Sequence, residues 1–300
     1  MISRTFRKFF TALGLAAAIA SPAAAKVAAP AAAQPALWSV SDSDTTIYLF
    51  GTVHLLPANF RWRSDTLDHA VAGSQELVIE TIVDDKNPAK LMSALAQLAF
   101  TKGLPPLAER VPQAKRATLA AAVKNSGFPP AVLDQMETWA AALMLVGGQF
   151  KSLDLQVGEG VETVLRREFT GKGKPIGELE SNVEQFGFFD RLSEKAQRDF
   201  LEGAIENGSA MKETFAAMLR SWSSGDVKAI ARAFNRDLAG SPELADALLA
   251  QRNANWTKWV EARLAKPGTV LVAVGAGHLA GDGSVVAMLK KQGLTVRRVQ

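Results

Sequence analysis

Polar and apolar residues alternate near the start of the folded chain, a pattern that is typical of β-strands with one buried face. Leu37–Val40 and Thr46–Phe50 both alternate in this way, and the polar segment Ser41–Asp44 lies between them. A short polar segment between two alternating runs is typical of a turn, so the pattern predicts a β-hairpin. The second strand is expected to end at Gly51.

A helix and a third strand are predicted next. The helix extends from about Ser64, whose hydroxyl can cap its first turn, to Ala72. The apolar run Leu77–Ile79 then predicts a short buried strand that ends at Glu80. The domain therefore begins with the order β-β-α-β.

Apolar residues recur with a different period in the middle of the chain. Apolar residues recur at helical spacing from about residue 87 to 264, notably in 130–146, 193–221 and 242–264. Only Lys174–Gly177 within this region has the pattern of a brief strand. The middle of the chain is therefore predicted to be a large helical insertion.

Strand signals return at the end of the chain. Thr269–Val274 and Leu294–Val299 are rich in β-branched residues, and Gly283–Gln292 between them predicts an amphipathic helix. The expected fold is α/β, close to α+β. In it, a mixed sheet built from the N- and C-terminal parts is flanked by helices and interrupted by the insertion at about 87–264.

Residues 1–25 have the pattern of a secretory signal peptide. A basic start with Arg4, Arg7 and Lys8 precedes an apolar run and the small residues Ala23–Ala25. An uncleaved anchor is the alternative, but the apolar run is shorter than the ~20 residues that cross a bilayer. We expect cleavage near Ala25, an Ala/Pro-rich linker at 26–36 and one domain at 37–300, in a periplasmic or secreted bacterial protein without a membrane span.

Charge and cysteine content narrow the possible functions. The formal net charge is +4, but removing the three basic residues of the signal from the total of 34 leaves 31 against 30 acidic residues. No basic stripe with interleaved aromatic residues remains, so we expect no nucleic-acid partner. The chain has no cysteine, which excludes disulfides, thiol nucleophiles and zinc–thiolate sites.

The same short motif follows two of the predicted strands. Gly51–His54 and Gly275–His278 both have the form Gly-x-x-His, and the chain contains only three histidines. Glycine permits a sharp turn or a close backbone approach, and the crevice beyond the strand ends is where α/β proteins bind ligands. If the two strands are neighbours, both imidazoles face one site.

Two imidazoles and a carboxylate are a common ligand set for a catalytic metal. His54 and His278 are the candidate imidazole ligands, and Glu80 ends its strand in the same way. Such a set leaves a coordination position open for water. Glu80 has two interpretations, as a metal ligand or as the general base. The sequence predicts a divalent metal but does not separate zinc, manganese and cobalt.

These motifs resemble those of the TraB/GumN family, described as metal-dependent hydrolases and related to the Tiki metalloproteases. The resemblance covers about residues 37–300 and is carried by 37–40, 47–57, 76–80, 177–181, Gln185, Trp222, 225–226, Arg252–Asn253, Trp256, 274–279, Gly281 and Gly293. Ser181 stands where the family often has threonine. The resemblance implies a mixed sheet flanked by helices, one metal site and, for the Tiki relatives, peptide hydrolysis.

Further polar residues are candidates for the same site. The helix around Arg252 and Asn253 is polar on one side, so these residues either form a solvated face or clamp a carboxylate or stabilise an oxyanion. Glu178 or Glu180 can bind metal or substrate, and Glu180 is favoured. The remaining histidine, His69, is expected on the surface.

The sequence thus predicts an exported metal-dependent hydrolase, peptidase-like, that acts on a peptide or another amide or ester. In this hypothesis His54, His278, Glu80 and Glu180 bind metal, and Glu80, Arg252 and Asn253 act in catalysis. The alternative is a non-catalytic periplasmic binding or accessory protein that uses the same crevice for iron, haem or a polysaccharide.

Overall fold

The computed structural model describes residues 33–83, 88–151, 160–205 and 208–300. The predicted signal peptide and most of the linker lie outside the described residues. No helix in these ranges is long and apolar enough to span a membrane. The strands are β1 (Leu37–Ser41), β2 (Thr45–Thr52), β3 (Glu76–Ile79), β4 (Ile176–Glu178), β5 (Gly268–Gly275) and β6 (Val296–Arg298).

The helices before β4 are α1 (Asp65–Gly73), α2 (Ala89–Leu98), α3 (Arg116–Ser126), α4 (Pro130–Gln135), α5 (Thr138–Lys151) and α6 (Val161–Gly171). Those that follow β4 are α7 (Asn182–Asp190), α8 (Glu194–Ala204), α9 (Gly208–Ser223), α10 (Val227–Leu238), α11 (Pro242–Ala245), α12 (Gln251–Leu264) and α13 (Val285–Lys291). The prediction of an α/β protein with a helical insertion between two parts of one sheet is confirmed.

The six strands form one mixed sheet in the order β4-β3-β5-β2-β1-β6. β4, β3, β5 and β2 are mutually parallel, whereas β1 is antiparallel to both β2 and β6. The late strand β5 thus lies between β2 and β3, which come early in the chain. The carboxyl ends of four adjacent strands consequently lie along one edge of the sheet.

The predicted hairpin is confirmed, with Leu37 opposite Phe50 in the β1–β2 register. The predicted cap is also present, because the Ser64 hydroxyl accepts a hydrogen bond from the Leu67 N–H. β4 begins two residues later than predicted. The sequence pattern placed Lys174 in that strand. In the structure Lys174 precedes the strand, and its ammonium donates a hydrogen bond to the carbonyl of Ala72 at 2.9 Å.

The predicted helical segment 130–146 is two helices, α4 and α5. The break lies at Met136, which makes an isolated β-bridge with Phe100. The buried guanidinium of Arg110 donates to the carbonyls of Asp134 and Met136, each at 2.6 Å. A side chain that binds the last carbonyls of α4 stabilises the helix end, so the chain turns there.

Helices cover both faces of the sheet. One face packs against α1, α6, α9 and α10, and the other against α12 and α13. The remaining insertion helices α2, α3, α4, α5, α7, α8 and α11 contribute to a separate apolar cluster. The sheet is therefore a rigid central layer that fixes the positions of its strand ends.

The two Gly-x-x-His turns pack against each other at the edge of the sheet where the four parallel strands have their carboxyl ends. A Cβ atom on Gly51 would lie 3.2 Å from Cα of Ala276, in the second motif. The carbonyl of Gly51 accepts a hydrogen bond from the buried indole of Trp222 at 2.7 Å. Glycine in the first motif therefore permits close approach of the two turns, as the sequence suggested.

Candidate functional site

Each of the four parallel strands is followed by one side chain of the candidate site. His54 follows β2, Glu80 follows β3, Glu180 follows β4 and His278 follows β5. Glu80, Glu180 and His278 are buried. Because the strands are adjacent and parallel, residues distant in sequence lie together at one edge, where α/β folds place their ligands.

Arg252 of α12 lies at the centre of this group and is 3% exposed. Its Nη2 donates to Glu80 Oε2 at 2.7 Å and also to Glu180, and its Nε donates to Glu180 at 3.1 Å. Its Nη1 lies 3.3 Å from His278 Nε2 and 3.5 Å from the Leu248 carbonyl. These five contacts account for the five N–H groups of a guanidinium.

Burial raises the pKa of Glu80, but surrounding positive charge and hydrogen bonding outweigh this effect. Arg252 makes the largest opposing contribution, followed by His278, His54 and the hydrogen bond from Gly275, so that the pKa is about 2. The Gly275 N–H donates to Glu80 Oε1 at 2.7 Å. Glu80 is therefore a carboxylate at neutral pH, with both oxygens held.

Glu180 differs from Glu80 in its electrostatic balance. Burial raises its pKa more than Arg252 lowers it, and the charge of Glu80 adds to the increase. Gln185 donates to its Oε1 at 3.2 Å. Glu178, the other candidate at this strand end, is exposed and accepts from the Ile82 N–H at 2.7 Å, so only Glu180 belongs to the cluster.

His278 is held in one orientation by Asn253. The Asn253 amide nitrogen donates to the Gly283 carbonyl at 2.8 Å, so its oxygen faces His278 Nδ1 at 2.7 Å. Burial lowers the pKa of His278 to about 3, and the charge of Arg252 adds to this effect. His278 is therefore neutral, with its hydrogen on Nδ1 and a lone pair on Nε2.

His54 is held in the same manner by a residue that sequence reasoning missed. Its Nδ1 lies 2.8 Å from Oε1 of Glu162, in the first turn of α6, and the Thr52 hydroxyl donates to the same oxygen. Nothing in the sequence pairs Glu162 with His54, because 107 positions separate the two residues and no motif contains both.

Gly275 lies among the three candidate metal ligands. A Cβ atom there would lie 3.1 Å from Glu80 Oε1, 3.6 Å from Cδ2 of His278 and 3.8 Å from His54 Nε2. The position next to Gly275 is therefore the point at which the carboxylate and both imidazoles approach one another.

The donors fit a metal ion in chemistry and orientation, but their spacing is wider than a bound metal requires. The described ranges contain no three His, Asp or Glu side chains arranged closely enough to hold an ion. Glu80 Oε1 and His278 Nε2 are 4.0 Å apart, whereas two ligands of a tetrahedral zinc ion lie about 3.3 Å apart. Both histidines nevertheless have Nδ1 bound to an oxygen, as metal-binding histidines do.

The solvated-face interpretation of Arg252 and Asn253 is wrong, because these residues are 3% and 2% exposed. A π-helical turn at Asp246–Ala250 immediately precedes them and joins α11 to α12. Arg252 clamps carboxylates, and its five N–H groups are used within the protein. His69 is exposed, as expected, and its Nδ1 contacts the Asp65 carbonyl at 2.6 Å.

The fold and site define an α/β protein with paired Gly-x-x-His turns at the carboxyl edge of its sheet. The model of the TraB/PrgY/gumN family matches residues 36–298, so the chain belongs to this family. This confirms the resemblance inferred from the motifs.

The sequence identity between the chain and individual relatives is about one quarter over the aligned residues. It is 23% identical to "Uncharacterized protein YbaP" of Escherichia coli K12 over 260 residues, or 85% of this chain and 92% of that protein. It is 24% identical to "Metalloprotease TIKI homolog" of Amphimedon queenslandica, over 88% of this chain and 61% of that protein. No solved structure gives a significant match.

The depressed pKa of His278 predicts acid sensitivity. Its pKa is about 3 in the folded chain against an ordinary 6.5, so between these values the unfolded chain binds more protons. Its stabilising contribution is complete above pH 6.5 and is lost as the pH falls. This loss reaches about 3 kcal/mol by about pH 4.5, and urea denaturation of wild type and His278→Gln will measure it.

His69→Gln, at the exposed histidine, is the matched control and keeps the wild-type pH dependence. Glu180 has a raised pKa and therefore acts in the opposite direction, but it is present in all three proteins. An equal pH slope in wild type and His278→Gln would contradict the prediction.

Removal of Arg252 leaves two buried carboxylates without their cation. We expect Arg252→Met to lower the free energy of unfolding by about 3–5 kcal/mol, measured by chemical denaturation. Arg198→Met removes an exposed ion pair with Glu194 and is expected to cost at most about 1 kcal/mol. Adding Glu180→Gln to Arg252→Met recovers part of the loss, because one buried charge is then gone. Equal costs for Arg252→Met and Arg198→Met would contradict this account.

Proposed function

We propose that this protein is a metal-dependent hydrolase that cleaves a peptide or a related amide or ester bond. The observation that carries the proposal is the matched arrangement of the histidines: Nδ1 of each ring faces an oxygen, as in metal-binding histidines. At His278 the Nε2 atom contacts Arg252 Nη1 at 3.3 Å, and metal binding would replace this contact. The name of the Amphimedon relative, a metalloprotease homolog, supports the same class of activity.

His54, His278 and Glu80 are the residues that would hold the metal. When bound, a divalent zinc, manganese or cobalt ion acts as a Lewis acid that lowers the pKa of water and polarises a carbonyl. Glu180 is better suited to holding Arg252, because both of its oxygens accept hydrogen bonds from that guanidinium. We therefore assign Glu180 to the support of the site, although the sequence suggested a ligand.

The environment of Glu80 favours a ligand over a general base. A general base works best when its pKa is near the working pH, whereas Arg252 and the histidines keep the pKa of Glu80 at about 2. A permanent carboxylate whose position is fixed by the Gly275 N–H suits a metal ligand. Asn253 then acts by orienting His278, and Arg252 by fixing both carboxylates.

Metal content is the direct test of this proposal. Freshly purified wild type should contain about one equivalent of a divalent metal, measured by elemental analysis, and should hydrolyse members of a peptide library. His54→Ala and His278→Ala should each weaken metal binding by more than about 100-fold, with little added by the double change. Glu80→Gln keeps the side-chain shape but should lose both metal and activity.

His69→Ala is the control, because it removes a histidine outside the site, and it should match wild type. Metal retained in Glu80→Gln with activity lost would make Glu80 the base. A Soret band in purified wild type would support the binding-protein alternative, and hydrolysis by wild type after full metal removal would contradict the proposal.

We also propose that the protein is exported, on the basis of the basic start, apolar run and Ala23–Ala25 of the sequence. The expected product in a bacterial host is a periplasmic protein whose first residue lies close to Lys26, measured by N-terminal sequencing of the periplasmic fraction. A variant with Arg4, Arg7 and Lys8 changed to Glu should remain in the cytoplasm. An intact Met1 on wild-type protein in the membrane fraction would contradict export by cleavage.

A further inference from the structure

Among the residues that the structure describes, the Glu162 side chain makes two polar contacts, both with the segment of the first Gly-x-x-His motif. Its Oε1 lies 2.8 Å from His54 Nδ1 and accepts a hydrogen bond from the buried hydroxyl of Thr52. The Glu162 side chain is only 14% exposed, so its contact with His54 is less screened than a surface ion pair.

The start of α6 packs directly against the His54 backbone, and this contact fixes the position of Glu162. A Cβ atom on Gly160 would lie 2.0 Å from the His54 carbonyl oxygen, closer than any side chain allows. The Val161 N–H donates to the Val53 carbonyl at 3.2 Å. Only glycine therefore fits before α6, and the helix begins directly against the histidine segment.

The rest of α6 anchors this arrangement in the core. Val161, Leu165 and Phe169 are fully buried under one face of the sheet. Further along the same helix, Glu168 binds Arg63 at 2.8 Å. Glu162 therefore extends from a rigid element, and its position is set independently of any ligand.

A carboxylate oxygen can only accept, so the His54 atom that faces it must carry a hydrogen. In the neutral imidazole this leaves the lone pair on Nε2, which lies 3.8 Å from the Cβ position of Gly275. Asn253 produces the same result for His278 from the opposite side of the sheet, where α12 packs. Two different acceptors on two different helices thus select the same tautomer.

We propose that Glu162 is a positioning residue that holds His54 in its Nδ1–H tautomer and directs the Nε2 lone pair into the site, with Thr52 holding the Glu162 carboxylate in place. The naming of Nε2 as a metal donor rests on the proposed hydrolase function. The selection of the tautomer does not, because it follows from the contact alone.

Side-chain nitrogen NMR of the metal-free mature protein at about pH 8 tests the tautomer. Wild type should show His54 with its hydrogen on Nδ1. Glu162→Leu removes the acceptor and should shift His54 toward the Nε2–H form, while the His278 signals stay unchanged. Glu162→Gln retains an acceptor oxygen and should keep the wild-type tautomer. Glu168→Gln, in the same helix, is the matched control.

Zinc affinity, measured by competition with a chromophoric chelator, is the second readout. We expect zinc binding to be about 10–100-fold weaker in Glu162→Leu and close to wild type in Glu162→Gln and Glu168→Gln. If Glu162→Leu fails to fold, Thr52→Val replaces it, since loss of the hydroxyl frees the carboxylate and should give a mixture of tautomers.

The two proposals fail in different ways. An Nε2–H tautomer in wild type, or an unchanged tautomer in Glu162→Leu, overturns the positioning role whatever the zinc result. If Glu162→Leu shifts the His54 tautomer but the wild-type protein binds no zinc, the result supports the positioning role and counts against the hydrolase proposal. Equal losses in Glu162→Leu and Glu162→Gln would also overturn the role, because the amide keeps the acceptor.

Discussion

The buried guanidinium of Arg252 is the interaction on which the rest of the site depends. Glu80 and Glu180 follow neighbouring parallel strands, so the topology places two carboxylates side by side in a region with little water. Burying charge without a partner is costly, and breaking a buried pair costs several kcal/mol. Arg252 satisfies both carboxylates at once through its planar fork and also joins α12 to the sheet edge.

The parallel order of the sheet explains why the site gathers residues from the whole chain. β5 forms late in the sequence but pairs with both β2 and β3, so the second Gly-x-x-His motif lies between the first motif and Glu80. Gly275 then allows the three side chains to approach a single point. The helical insertion contributes β4, and with it Glu180, at the outer edge of the same sheet.

The sequence predicted what local patterns determine, and it missed what tertiary packing determines. Alternation and turn residues identified the hairpin, and the glycine motifs identified the strand ends that carry His54 and His278. Arg252 and Asn253 were open to a surface interpretation, because their burial depends on how α12 packs after the π-helical turn at Asp246–Ala250, which helical periodicity does not show. Glu162 had no sequence signal, because its contact depends on how α6 packs against the His54 backbone.

The charge balance of the cluster bears on its chemistry. One guanidinium serves two carboxylates, His278 is neutral because burial and Arg252 depress its pKa, and Glu162 adds a third carboxyl group beside His54. The acidic groups therefore outnumber the fixed cation. A buried group of carboxyl oxygens beside a neutral His278, with one guanidinium as its fixed positive charge, favours the binding of a further cation. The proposed metal would supply that charge between His54, His278 and Glu80, while Arg252 continues to hold Glu180.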